Sequence, residues 1–266
     1  MPQHAFDTAG PLEIVVEIGL GRVELVCAET ARTEVTVEPT RPDPEAQALA
    51  EQVTVELDGS RLQVRSPRRW WSPAPRLTVT ITAPEGSRLA TRAAVADVTC
   101  RGPLGELSVN TASGDVTAEA VTGDVTVNLA NGDVRLATVG GRLRARRANG
   151  RLTVASASEV EVDTANGDTS IGEVTGRVRA RTASGDVEIG EVSRGEVTVQ
   201  TMSGNVRVQV RPGTGVRLDL ASHSGDVRSD LAVDDAPPVG GVPLELHLRT
   251  MTGNIRVGRS AATPAR

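Results

Sequence analysis

In "TASGDVTAEAVTGDVTVNLANGDV", residues 111–134, apolar and polar positions alternate in short bursts, and each burst starts from a glycine. The second and fourth residues after that glycine are apolar, as in Val116/Ala118, Val125/Val127, Val134/Leu136, Leu143/Ala145, Leu152/Val154 and Val187/Ile189. A period of two predicts short β-strands with one face buried. The beat is nine residues: Gly105, Gly114, Gly123, Gly132, Gly141 and Gly150, then Gly167, Gly176 and Gly185, with Gly195 and Gly204 after a one-residue insertion. One beat is irregular, at "ASASEVEV", where Ser158 stands in place of the glycine. Ala96 and Ser87 share the phase, so the regular array is expected to begin near residue 87. No 3.6-residue helical stripe survives such a beat. The seventh residue after each glycine is also small or apolar, from Val121, Ala130, Val139 and Ala148 to Ala183, Val192 and Met202, and is expected to stay inside at each bend.

The bends alternate between "TASG", "LANG", "TANG" and "AVTG", "TVGG", "EVTG", so each type recurs about every 18 residues. The prediction is an all-β, parallel β-solenoid whose coils of about 18 residues carry two strands each, roughly seven coils in all. Residues 1–86 are strand-rich but less regular and read as an N-terminal capping region continuous with the solenoid. They include "PDPEAQALAEQ" as a short helix or loop and a hairpin turning at Asp58-Gly59. Residues 87–210 are the regular repeats, and residues 211–266 the irregular final coils and C-terminal cap, closing with "LELHLRTMTGNIRV".

The charges test this register. Residues one coil apart are stacked neighbours, and like charges opposite each other destabilise a sheet. The outward positions of successive coils are Arg142, Arg144, Arg146; then Glu159, Glu161, Asp163; then Arg177, Arg179, Arg181. Basic, acidic and basic rows alternate as a structural charge ladder. The basic "GGRLRARRANGR" is therefore read as part of the ladder and not as a nucleic-acid patch. On the other sheet Thr117, Thr153 and Ser170, with Ala137, Ala155, Gly172 and Gly190, form a flat small-residue face. That face is one candidate partner contact; the arginine-flanked Trp70-Trp71 in "RSPRRWWSPAPR" is the other, with an end cover as its plainer role.

Composition narrows the picture further. Aromatics are 1% with no Tyr, so the core is built from Val, Leu, Ile and Ala. All 29 basic residues are Arg, and the net charge of −5 argues against nucleic acid as a partner. "MPQHAFDTAGPLEIVV" lacks a basic stretch leading into an apolar run of signal-peptide length, and no later window is apolar enough to span a bilayer. A cytoplasmic protein without an integral membrane segment is expected. Cys27 and Cys100 fall in apolar strand-like runs and read as buried free thiols.

Calcium rolls share the nine-residue period, but their ligand-bearing repeat needs closely spaced glycines and a later Asp. Here a single Gly is followed at once by Asp, and that position becomes Arg142, Arg151 or Arg177 elsewhere. Asp115, Asp133, Asp168 and Asp186 are read as turn residues that hydrogen-bond nearby backbone donors. His4, His223 and His247 are scattered. No catalytic residue, cofactor or metal site is expected.

The order of "GRVELV", "LTVTITAPEGSRL" and serial "TASGDV" and "TGDV" units resembles, over nearly the whole chain, the bacterial β-strand-repeat family labelled putative adhesin, domain of unknown function 4097. The resemblance implies a β-solenoid without established catalytic residues. The expected function is a non-catalytic binding or scaffold protein presenting an extended sheet face to a protein or glycan. Alternatives are a self-associating, filament-like homo-oligomer and a β-helix enzyme acting on acidic polysaccharide.

Overall fold

The computed structural model describes residues 3–41, 43–67, 75–231 and 244–260, which form an all-β, β-solenoid-like fold with one short helix among them. Trp70 and Trp71 lie outside the described residues. Packing divides the chain into two compact units, Met1–Gly140 and Gly141–Arg266, a boundary different from residues 86 and 210, where the repeat changes regularity. Among the described residues no helix is long and apolar enough to cross a membrane.

The first unit contains β1 (Gln3–Asp7), β2 (Glu13–Ala28), β3 (Arg32–Pro39), α1 (Pro44–Glu51), β4 (Thr54–Asp58), β5 (Arg61–Arg65), β6 (Leu77–Pro84), β7 (Arg88–Leu104), β8 (Glu106–Ser113), β9 (Val116–Val121), β10 (Val125–Asn131) and the start of β11 (Val134–Asn149). Its strands stack in two columns. In one, β4 pairs antiparallel with β5, and β5, the first half of β2, the first half of β7, β8 and β10 follow in parallel. In the other, β1, β3 and β6 pair antiparallel, then the second halves of β2 and β7, β9 and β11 follow in parallel. The parallel stack thus reaches back to β2, with Glu13 beside Arg88, because residues 29–87 fold outward into the flanking strands and α1. The helix starts where Asp43 accepts a hydrogen bond from the Glu45 amide at 3.2 Å and Pro44 occupies the first turn, and it buries Ala46, Leu49 and Ala50.

The second unit contains β12 (Leu152–Asn166), β13 (Thr169–Val174), β14 (Val178–Ser184), β15 (Val187–Val192), β16 (Glu196–Ser203), β17 (Val206–Val210), β18 (Val216–Ser224), β19 (Val227–Ser229), β20 (Leu244–Thr252) and β21 (Ile255–Arg259). One column runs from the second half of β12 through β14, β16 and β20 to β18; the other runs from the first half of β12 through β13, β15, β17 and β21 to β19. All these pairings are parallel, and aliphatic residues stack in register, for example Val160, Val178, Val197 and Leu246.

Two expectations need correction. Residues 244–259 are not the closing layer: β20 and β21 insert between β16/β17 and β18/β19, so stacking order departs from chain order. Side-chain chemistry accounts for this. Leu244, Leu246, Leu248, Ile255 and Val257 alternate strictly and are fully buried, and their register partners on β18 and β19 are Val216, Leu218, Leu220, Val227 and Ser229, so the layer with the larger aliphatic side chains at the inward positions takes the covered place.

The seventh residue after glycine faces inward in only one column. There Val121, Val139, Ala157, Val174 and Val192 are buried; in the other Ala130, Ala165, Ala183 and Met202 are exposed and the sixth residue, Leu129, Thr164, Thr182 or Thr201, is buried instead. Regular pleating puts positions two, four and six on one face. In the first column the pairing skips Ala155, Gly172 and Gly190, and that irregularity moves the inward phase to position seven.

Candidate functional site

The Gly-Asp corner that sets the repeat is built by neighbouring strands acting on each other. Gly114, Gly132, Gly167, Gly185 and Gly204 all have positive φ. A Cβ on Gly132 would lie 2.1 Å from the Gly114 carbonyl oxygen, and one on Gly185 2.3 Å from that of Gly167. Each corner glycine therefore lies against the one before it, and a side chain has no space. The following Asp reaches to the adjacent strand: the Asp133 amide donates to Asp115 Oδ1 at 2.9 Å and the Asp115 amide to Asp97 Oδ1 at 3.1 Å. In the second unit the Asp186 amide donates to Asp168 Oδ1 at 3.1 Å and the Asn205 amide to Asp186 Oδ1 at 2.8 Å. Asn205 and Asn254 keep the acceptor without adding charge, and their side-chain amides donate down the column to Asp186 and Asn205, both at 3.2 Å. Arginines offset the remaining carboxylates: Arg135 lies 2.7 Å from Asp133 and 3.7 Å from Asp115. Among the described residues no group of three His, Cys, Asp or Glu side chains is arranged to hold a metal ion.

The outward face of the β12/β14/β16 column carries the charged rows. Arg142 pairs with Glu159 at 2.8 Å, Arg144 with Glu161 at 3.2 Å and Arg146 with Asp163 at 3.8 Å. Glu161 lies beside Arg179 and Asp163 beside Arg181 in strand register. The third row is asymmetric. Arg177 reaches forward to Glu196 at 3.5 Å, but Arg179 and Arg181 are exposed, form no ion pair within 4.0 Å among the described residues, and meet neutral Thr198 and Gln200 on β16. The two guanidiniums thus have carboxylates, Glu161 and Asp163, beside them on β12 and uncharged hydrogen-bonding side chains on β16.

The small-residue face has a backbone cause. Thr153 is exposed, Ser170 and Thr117 are half-buried, and Thr153 and Ser170 are register neighbours. The adjacent row sits at the pairing irregularity, where a Cβ on Gly172 would lie 2.3 Å from the Ala155 carbonyl oxygen and one on Gly190 2.7 Å from that of Gly172. Side chains are small there because the strands approach closely. Beyond Ser170 the face becomes charged, with Glu188 and Arg207 paired at 3.4 Å.

Three further features join residues far apart in the chain. In the first unit a cleft of about 570 Å³ is floored by Ile18, Leu49 and Leu77 and edged by Glu17 and Arg92. Glu17 there holds both Arg92, at 3.3 Å, and Arg65, at 3.6 Å. In the second unit Asp219 Oδ2 lies 3.3 Å from both His247 Nδ1 and Arg249 Nη2, and the His247 contact, then Arg249, holds its carboxyl below the usual range. Glu191 accepts from Ser260 Oγ at 2.7 Å and from Arg211 Nε at 2.6 Å, and these bonds lower its pKa in that order. Sequence spacing signals none of the three, because each spans an irregular connection. Cys27 and Cys100 are buried free thiols; burial, with Glu85 adding, pushes Cys27 up to about 11, and burial, then Cys27, raises Cys100 too.

A family model described as Toastrack DUF4097 matches residues 13–237. Among solved structures, a putative adhesin from Bacteroides fragilis is similar over 96% of this chain and 96% of its own, with 10% identity and a TM-score of 0.50. A putative lipid binding protein from Parabacteroides distasonis is similar over 96% of each chain at 12% identity with a TM-score of 0.48. Such identities show likeness of fold alone. No curated protein gives a significant match.

Proposed function

This chain belongs to the Toastrack DUF4097 family, and from that membership we propose that it is a non-catalytic binding or scaffold protein of putative-adhesin type, presenting an extended sheet face to a protein or glycan. The observation that carries the proposal is the third charged row: Arg179 and Arg181 stand exposed next to Thr198 and Gln200, while the two rows before them are mutually paired. An anionic patch laid on this face would meet two guanidiniums that need not break an existing ion pair. Strand offsets such as Val160 to Val178 and Val125 to Leu107 support turns of about 18 residues with one strand in each column. Thr117, Thr153, Ser170, Trp70 and Trp71 remain proposed contacts of lower rank, Thr153 and Ser170 because backbone approach at the adjacent Gly172 already explains small side chains there, and Thr117 because its register neighbour is Arg135.

The test compares the intact chain with Arg179→Ala/Arg181→Ala, using an acidic-glycan array and crosslinked capture from the native cell. Salt-sensitive binding by the parent and its loss in the variant are expected. Equal binding by both would refute the assignment of this face. Turnover on an acidic-polysaccharide panel, abolished by one Asp→Ala change, would refute the non-catalytic reading.

A further inference from the structure

The exposed end of the second unit has a composition and backbone phase that match a second copy of itself. Among the described residues β18 has a single strand neighbour, β20, so one side of its backbone is unpaired. The large apolar side chains exposed among the described residues, Met202, Leu218, Val227 and Met251, all lie on β16, β18, β19 and β20. Leu218 is 36% and Val227 42% exposed, although their counterparts Leu246 and Ile255 on the covered strands are fully buried. An open strand edge with half-covered aliphatics is a template for strand addition.

The phase of that edge is set by one hydrogen bond. Leu244 donates its amide to the Gly215 carbonyl at 3.1 Å. Amide and carbonyl of one residue point to the same side of a strand and alternate along it, so Gly215, Arg217 and Asp219 face β20. Val216, Leu218 and Leu220 direct theirs to the open edge. Two antiparallel copies of β18 related by a two-fold axis at Leu218 would oppose Leu218 to Leu218 and Val216 to Leu220, pairing these outward groups. The same register places Arg217 opposite Asp219 of the other copy, twice, on the outer face. Backbone phase, the apolar row and charge signs thus agree on one register.

We propose that the protein forms a two-fold dimer through antiparallel pairing of β18 edges centred on Leu218, an isologous interface in which each Arg217 meets the Asp219 of the second copy. The surface is distinct from the Arg179/Arg181 face, so the two readings stand or fall separately. A single strand pair is at the small end of specific interfaces, which makes association concentration-dependent.

Sedimentation equilibrium of the full chain, from low to high micromolar, should show a reversible dimer. Arg217→Asp opposes two Asp pairs and Asp219→Arg two Arg pairs, so each variant alone should dimerise more weakly by on the order of tenfold or more. Mixing the two variants restores opposite signs at both contacts, since one contact then joins the two substituted positions and the other the two native side chains. The mixture should recover a heterodimer close to parental affinity. Thermal unfolding of each variant checks that the fold is retained, since Arg217 also contacts Glu245 and Asp219 contacts His247. A strictly monomeric parent, a dimer indifferent to either reversal, or a mixture that fails to recover would each overturn the proposal.

Discussion

Gly185→Ala is the sharpest test of how the corner works. The residue has φ +139°, a conformation that only glycine adopts at low cost, so an L side chain there costs about 1–3 kcal/mol before any contact is counted. The added Cβ would also lie 2.3 Å from the Gly167 carbonyl oxygen and 2.6 Å from its carbonyl carbon. Both are backbone atoms in a stacked column and cannot rotate away. Relief requires the strands to separate, which weakens the Gly167 amide bond to the Ser184 carbonyl at 2.9 Å and the Asp186 amide bond to Asp168 Oδ1 at 3.1 Å. Two hydrogen bonds at about 0.5–1.5 kcal/mol each bring the total to roughly 2–6 kcal/mol. The internal control is Gly59→Ala at the hairpin tip, where φ is +57° and nothing lies within 4 Å of a new Cβ. That variant carries the backbone cost alone, about 1–2 kcal/mol. Calorimetry should show a Tm drop for Gly185→Ala of roughly 10 °C, about two to three times that of Gly59→Ala. Equal drops would refute the stacked-corner explanation.

Glu161→Arg places a third cation between Arg144, 3.2 Å from the native carboxylate, and Arg179 in register; a loss of about 0.5–2 kcal/mol is expected by denaturant titration, and no loss would count against the ladder. Glu191 has its folded-state pKa lowered by Ser260 and then Arg211, so its contribution is present above the ordinary glutamate range and disappears as pH falls through the folded value. The Tm of Glu191→Gln should therefore fall less steeply on acidification than that of the parent. With Cys27 pushed up to about 11 and Cys100 buried, thiol reagents at neutral pH should label neither until the chain unfolds; rapid native labelling would show that the β2/β7 layer opens. Asp115→Ala removes the acceptor of the Asp133 amide, 2.9 Å away, and should cost about 0.5–1.5 kcal/mol by denaturant titration; no loss would count against the corner bond.

The hydrophobic alternation and the nine-residue glycine beat were enough to determine an all-β, solenoid-like stack, because period two and obligatory glycine are local properties of a pleated, sharply bent backbone. The charged rows were legible for a related reason: outward side chains at equal offsets become neighbours once strands stack in parallel. Three things needed the tertiary structure. Whether position six or seven faces inward depends on an irregularity at Ala155, Gly172 and Gly190 that leaves no mark beyond small residues. The insertion of β20 and β21 beneath β18 and β19 follows from competition between two layers for one covered surface, decided by Leu244, Ile255 and Val257 against the smaller or more polar Val216, Val227 and Ser229. Single-strand patterning contains no such comparison. That Arg179 and Arg181 form no ion pair within 4.0 Å among the described residues likewise depends on which residues β16 lays beside them, so the candidate surface emerged only from pairing across strands.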